Sequence, residues 1–157
     1  MTDWLSQLDK DTLPQIVLEM FTHWCVWEQA RPALVTVLKQ VQLEDIANQI
    51  ERATDLRQVV QIVETANQQI KALRTKTGML GISAAEAATF EFVNLFDTAD
   101  EKNLDTEAVS FFAARVCGWA GWARSGFTDA TQKTQAEEKA RQDQEAYLAK
   151  LMADHPS

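Results

Sequence analysis

Cysteine, histidine, glycine and proline are scarce in this chain of 157 residues, which contains two, two, five and three of them. Cys25 and Cys117 lie far apart and outside any paired spacing. This excludes a disulfide framework and favours a reducing compartment, so we expect a cytoplasmic protein. Two histidines, without paired cysteines or a glutamate-to-histidine helical spacing, provide little for a zinc or di-iron site, and no metal or cofactor is expected.

Positive charge and long apolar runs are also lacking. The net charge is −8, and an acidic surface repels the phosphates of nucleic acids and anionic lipids, so neither is an expected partner. The longest apolar run, residues 108–123, contains Arg115 and is shorter than the roughly 20 residues that a membrane-spanning helix needs. The first residues do not form the basic and apolar series of a secretory signal, and none is expected.

Motifs of catalysis are missing as well. The sequence contains no glycine-rich phosphate loop and no Gly-x-Ser-x-Gly nucleophile elbow. His23 and Cys25 place a base near a nucleophile, but consecutive helical residues point about 100° apart, so the two side chains do not face each other. We interpret Cys25 as a buried apolar residue and expect no enzymatic activity.

The sequence does contain helical periodicity, almost from end to end. Apolar residues recur three and four positions apart in two successive segments, at Leu43, Ile46, Ala47, Ile50 and Ala53, and at Leu56, Val59, Val60, Val63, Ala66, Ile70 and Leu73. No run shows the strict alternation of a half-buried strand. The pattern predicts a single all-α domain over residues 1–157, a helical bundle of about six or seven helices. It leaves open a repeat-like stacking of helix pairs.

Caps and breakers predict where the first helices begin and end. Thr12 and Pro14 are placed to open a helix that runs to about Ala30. Pro32 is expected to break or kink it, because the residue before a proline, here Arg31, is pushed out of the helical region. A short helix to about residue 41 then follows.

Three further signals mark the later helices. Ser83 and Glu86 have the spacing of a capping box, which predicts a helix directly after Ser83. Gly126 is placed to end the next helix. Thr128 or Asp129 is placed to cap the last one.

Two of the predicted helices are apolar nearly all round, which is typical of central elements packed on several sides. One contains Trp24 and Trp27, and the other contains Trp119 and Trp122, so each carries two indoles on one face. Small residues in the second helix allow close approach of a neighbour, namely Ala114, Gly118 and Gly121. We expect the two helices to pack against each other.

The densest negative charge lies between residues 83 and 107, where seven carboxylates accompany a single lysine. Such a region attracts a basic protein and speeds association with it. The sequence therefore predicts a partner-binding surface formed by Glu86, Glu91, Asp97, Asp100, Glu101, Asp105 and Glu107. The stretch from Asp97 lacks the glycine and the glutamate that a calcium loop needs at its sixth and twelfth positions, so we interpret it as a solvated loop. Residues 1–30 also carry five carboxylates against one lysine.

A second hypothesis, from another class of function, uses the aromatic residues. A loosely packed interior would leave a pocket between the two tryptophan-bearing helices, lined by Trp24, Trp27, Phe112, Trp119 and Trp122. Aromatic stripes at helical spacing are more often core, and no polar groups converge there to orient a ligand. On this hypothesis the protein is a small-molecule binder or sensor.

An Ala- and Trp-rich helix followed by a charged helix makes up residues 107–152. The residues concerned are Ala113, Ala114, Arg115, Ala120, Trp122 and Ala123, and then Arg141, Gln142, Glu145, Leu148 and Leu151. This block, under a third of the chain, resembles the C-terminal part of some all-helical immunity proteins of bacterial toxin systems. The resemblance implies a protein that binds a cognate toxin and blocks it without catalysis. The sequence determines neither the partner's identity nor the oligomeric state.

Overall fold

The computed structural model describes residues 13–76, 81–98 and 106–156, with the backbone alone described at residues 97 and 98. In these ranges the chain forms α1 (Gln15–Trp24), a π-helical segment π1 (Cys25–Ala30), α2 (Arg31–Gln40), α3 (Glu44–Arg52), α4 (Leu56–Lys76), α5 (Ile82–Thr98), α6 (Thr106–Arg124) and α7 (Thr131–Asp154). The described residues include no strand. Because α1, π1 and α2 form one continuous rod, the described part contains six helical runs, and the predicted all-α bundle is confirmed.

The rod is unbroken at Pro32, so the predicted break is wrong. Arg31 keeps helical angles, φ −60° and ψ −53°, and its N–H bonds the carbonyl of Val26, five residues back. In this π register the carbonyl of Trp27 faces Pro32, which has no N–H to donate. The Nε of Arg31 donates to that carbonyl instead, at 3.3 Å. The change of register and the Arg31 side chain together let the helix pass through the proline.

α5 begins one residue earlier than its predicted cap. It begins at Ile82, directly after Gly81, whose φ of +87° is accessible to glycine at little cost. Ser83 therefore lies inside the helix, and the predicted capping box is wrong. The carboxylate of Glu86 pairs with Arg74 of α4 instead, at 2.7 Å.

The predicted end of α6 is confirmed, whereas the N-cap position of α7 is Ala130, which makes no side-chain cap hydrogen bond, and the predicted Asp129 lies one residue before it. The chain leaves α6 through Gly126, which has a φ of +69°. Oδ1 of Asp129 accepts hydrogen bonds from the hydroxyl and the N–H of Thr131, the first residue of α7. These two bonds, the hydroxyl first, lower the pKa of the Asp129 carboxyl because they stabilise its charged form. Thr12, the other predicted cap, lies outside the described residues.

α6 is the central helix, with α2, α5, α7 and π1 packed around it. Its glycines lie against α7. A Cβ on Gly121 would be 2.4 Å from the Cβ of Ala136 and 2.5 Å from the carbonyl oxygen of Gln132. A Cβ on Gly118 would be 3.2 Å from the carbonyl oxygen of Lys133. The close approach predicted from these small residues is therefore made by α7.

The predicted contact between the two tryptophan-bearing helices is confirmed. Sγ of Cys117 on α6 lies 3.7 Å from the carbonyl oxygen of Gln29 on π1. The four indoles are only partly buried and pack against the core from its edge. Small side chains, rather than indoles, therefore make the centre of this contact.

α1 is amphipathic, contrary to the prediction that its helix is buried all round. Val17 and Phe21 are fully buried, whereas Ile16 is 49% and Met20 is 36% exposed. The reason is position, because α1 lies at the edge of the bundle, beside α7 and one side of α6. Its outer apolar residues have no helix among the described residues to cover them.

The first and last helices adjoin, since α1 contacts α7, and α2 contacts both α5 and α6. In a repeat protein each unit contacts only its neighbours along the chain. The contacts therefore favour a closed bundle over a stack of helix pairs.

A buried polar network holds α7 in register. Nε2 of the fully buried Gln144 donates to Oε1 of Gln29 and to the carbonyl of Ser110, both at 2.9 Å. Nε2 of Gln29 donates to the carbonyl of Ala140 at 3.0 Å, and Nη1 of Arg141 donates to Oγ of Ser110 at 3.0 Å. Sliding α7 along the bundle would leave these buried groups unpaired, which is costly, so the network fixes its position against π1 and α6.

Candidate functional site

Only some residues of the predicted acidic surface are among those that the structure describes. Asp100, Glu101 and Asp105 lie outside the described residues, and so does the side chain of Asp97. Glu107 is partly buried at the first turn of α6.

The two acidic residues described on α5 both have partners inside the fold. Glu86 pairs with Arg74, as above. Glu91 is only 8% exposed, and its two carboxylate oxygens accept hydrogen bonds from Nε of Arg115 and Nε1 of Trp119. Glu91 therefore ties α5 to α6 and does not contribute a free charge to a binding surface.

The aromatic residues on α6 contact one another in pairs, and one of them contacts α7. Trp119 and Trp122 lie with ring centroids 6.0 Å apart, and Phe112 meets the exposed Phe111 edge-on at 5.6 Å. The Nζ of Lys133 lies 4.6 Å from the Trp119 ring centroid. None of these rings lines the groove that lies between α1 and α7.

The aromatic residues of the rod have other neighbours. The Trp27 ring lies under the guanidinium of Arg31, at 4.6 Å. Trp24 stacks on Tyr147 of α7, with centroids 4.5 Å apart and 15° between the ring planes. Of the five residues predicted to line a ligand pocket, Trp24 alone lines the groove between α1 and α7.

An open groove of about 600 Å³ runs between α1 and the last turns of α7. We call it the α1–α7 groove, and its lining residues are Ile16, Glu19, Met20, His23 and Trp24 of α1, Glu28 of π1, and Tyr147 of α7. Ile16, Met20 and Trp24 recur every four residues, so they share one helix face, next to the face that buries Val17 and Phe21. The groove is thus the outer apolar stripe of α1, extended by Tyr147.

The charge of the groove is negative. Glu19 and Glu28 are both exposed, and no lysine or arginine lines the groove. Glu19 accepts a hydrogen bond of 3.4 Å from the amide of Gln15, also exposed, which leaves its charge uncompensated. His23 lies between the two carboxylates along the helix. The site combines apolar side chains with two carboxylates, a combination suited to an apolar and cationic partner.

A second depression, of about 270 Å³, continues the groove along α7. Glu28 lines both depressions, so the two form one seam between the rod and α7, and Cys117, Ala120 and Arg124 of α6 also line the second depression. The second depression contains Arg124, Lys139 and Asp143, with Nζ of Lys139 paired to Oδ1 of Asp143 at 2.7 Å. Its charge is therefore mixed, in contrast to that of the α1–α7 groove.

The sequence did contain a signal for this groove. Glu19 and His23 lie four residues apart within an otherwise apolar segment, which marks one side of α1 as solvent-facing. Ile16 and Met20 belong to that same side. The contribution of Tyr147 had no such signal, because it depends on which helix packs beside α1.

The thiols have little reactivity to offer. Cys25 is fully buried, as predicted, and burial raises the pKa of its thiol well above the usual range. Burial likewise raises the pKa of the Cys117 thiol to about 12. Thiols that stay protonated at neutral pH are poor nucleophiles and poor metal ligands. His23 is exposed and lies on another side of the rod from Cys25.

The described residues therefore define a helical bundle with an acidic, apolar groove at its edge. No helix in these ranges is both long and apolar enough to span a bilayer. The same ranges contain no cluster of three or more metal-ligating side chains suited to hold an ion. Comparison with protein-family models, with curated proteins and with solved structures found no match.

Proposed function

We propose that this protein is a non-catalytic protein-binding module that acts through its exterior on a basic partner. The observation that carries the proposal is the α1–α7 groove, where exposed Ile16 and Met20 share one surface with the carboxylates of Glu19 and Glu28. Apolar side chains that share one surface site and are rimmed by polar groups are typical of protein contact sites. Because the surplus charge of the groove is negative, a partner with cationic groups gains most from it.

The charge of the whole chain supports the same proposal. The net charge of −8 acts at long range to attract a basic protein and raise its association rate. Residues 97–107 carry much of that charge and would add to the attraction. Binding is then expected to weaken as salt concentration rises, because exposed charges are screened.

Within this function we propose the role of an immunity protein, which binds a basic toxin domain and blocks it. The resemblance of residues 107–152 to such proteins and the acidic charge both support this role. The two free thiols, Cys25 and Cys117, support a reducing compartment, so we propose that binding takes place in the cytoplasm.

A charge-reversal pair tests the binding proposal. Wild type, Glu28→Lys and Glu64→Lys are each used to capture partners from the native cell, and their affinities for the purified partner are then measured. Glu64 is exposed on α4, so its variant has the same change of net charge away from the groove. We expect Glu28→Lys to bind at least about tenfold more weakly, whereas Glu64→Lys binds like wild type. A wild type that retains no partner, or equal affinities of all three proteins, contradicts the proposal.

The immunity role needs its own test. The partner is expressed alone and together with the chain, and growth of the host is measured. Growth arrest by the partner, relieved by wild type and less by Glu28→Lys, is the expected result. A partner that leaves growth unaffected removes the toxin role and leaves the binding function standing.

A small-molecule binder is the second candidate, favoured by the size of the groove. Its volume of about 600 Å³ falls in the range of ligand sites, and Trp24 forms part of its wall. Native mass spectrometry of the purified protein and a ligand screen by tryptophan fluorescence test this function. A bound compound whose fluorescence response disappears in Trp24→Phe would support it. Absence of any bound mass and of any response counts against it.

A further inference from the structure

We infer that the partner presents an amphipathic α-helix with at least one lysine or arginine, and that this helix lies along the seam between the rod and α7. The inference rests on the proposed function and specifies the segment that the groove receives. It depends on the length of the seam, on the chemistry along it and on the structure of its walls.

The seam is elongated. Its first depression begins at Ile16 and its second reaches Thr36, and Glu28 belongs to both. At a rise of 1.5 Å per residue, that part of the rod is about 30 Å long. A partner helix of about 15 to 20 residues would match it, whereas a single loop tip or small molecule would fill one depression only.

The chemistry changes along the seam in one direction. Ile16 and Met20 make the first end mainly apolar, with Glu19 beside them, Glu28 follows with negative charge, and the far end has the mixed charges of Lys139 and Asp143. An apolar face at one end of a helix would cover the exposed Ile16 and Met20, and methionine adapts its shape to such a face. A basic side chain one or two turns further along would meet Glu28.

The walls favour a helix over an extended strand. Both walls are helices, whose backbone groups are hydrogen-bonded within the helix, and the described residues include no sheet edge to which a strand could add. Side chains are therefore the groups offered along this seam. An amphipathic helix that places its anchors three and four residues apart is the recognition mode that uses side chains alone.

Photo-crosslinking on the full-length chain tests the inference. Benzoylphenylalanine replaces Met20 at one end of the seam, Thr36 at the other end, or the exposed Gln68 of α4 as the control. After irradiation in the native cell, crosslinked peptides are identified by mass spectrometry, and the partner segment is synthesised. We expect one partner to crosslink at positions 20 and 36 but not 68, through a basic segment whose helix content, measured by circular dichroism, rises on binding wild type.

The other occupants give different results. Crosslinks from position 20 to residues 1–12 of the same chain, or to a second copy of it, overturn the inference. So does a partner segment that is acidic, that gains no helix on binding, or that crosslinks at position 68 alone. In those partner cases the weaker binding of Glu28→Lys still supports the proposed function, whereas capture of no partner by wild type ends both proposals.

Discussion

Trp119 donates its indole N–H to Oε2 of Glu91 across the contact between α5 and α6, at 2.6 Å. The second carboxylate oxygen of Glu91 accepts from Nε of Arg115. A residue that the charge pattern places on an acidic exterior is thus a link between two helices. The binding surface that we propose lies elsewhere, on the outer side of α1.

Loss of the Glu91 carboxylate should destabilise the bundle. We expect Glu91→Ala to lower the free energy of unfolding by about 1.5–3 kcal/mol, because the Trp119 N–H then lacks its acceptor in a poorly solvated site. Urea unfolding measures the loss. Glu64→Ala, at an exposed residue of α4, is the control, and its free energy of unfolding is expected within about 0.5 kcal/mol of wild type. In a double-mutant cycle with Trp119→Phe the two losses should not add. Strict additivity would show that the two side chains do not interact.

The Gly121 contact predicts a steric effect. Gly121→Ala would place a Cβ within 2.4–2.5 Å of α7 atoms, so the two helices must separate. We expect a net loss of about 1–3 kcal/mol despite the roughly 1 kcal/mol that alanine gains over glycine in a helix. Gly118→Ala is the matched control, because its nearest contact is 3.2 Å and the two effects nearly cancel. Thermal unfolding should show a lower melting temperature for Gly121→Ala than for Gly118→Ala, and equal melting temperatures would contradict the prediction.

The buried network predicts a strong dependence on Gln144. Gln144→Leu would leave Oε1 of Gln29 and the carbonyl of Ser110 without this donor, and we expect a loss of about 2–4 kcal/mol. Gln142→Leu, two residues earlier on α7 and exposed, is the control and should be nearly neutral. Replacing Gln29 by methionine in the Gln144→Leu background should recover part of the loss. Equal stability of the two leucine variants would show that the network contributes nothing.

The raised pKa of the Cys117 thiol predicts that the stability of the fold depends on pH. Burial raises its pKa from 9.0 to about 12, so the native thiol stays protonated where the unfolded thiol ionises. The contribution of the protonated Cys117 thiol to the free energy of unfolding is therefore complete below pH 9 and is lost as the pH rises from 9 towards 12. At pH 9 iodoacetamide should alkylate native Cys117 about 500-fold more slowly than the unfolded chain. A native rate equal to the unfolded rate would contradict the burial, and Cys117→Ala should reduce the loss of stability above pH 9.

Periodicity along the chain predicted the helices well, because a helix depends on residues three and four positions apart. The end of α6 at Gly126 was predicted correctly because glycine accepts the positive φ there, whereas the cap of α7 was predicted one residue too early. The break at Pro32 was predicted wrongly because the effect of this proline depends on the register of π1 and on the side chain of Arg31. The Ser83 cap was misread because Gly81 supplies the turn first.

The amino-acid sequence by itself determined that this protein is all-helical and acidic, since local spacing and composition settle these properties. Tertiary structure alone decided which polar and apolar residues face outward. Glu91 became interior because Arg115 and Trp119 pack across from it, and Met20 stayed exposed because α1 lies at the edge of the bundle. Exposure depends on neighbours distant in sequence, and those neighbours become known only when the helices pack.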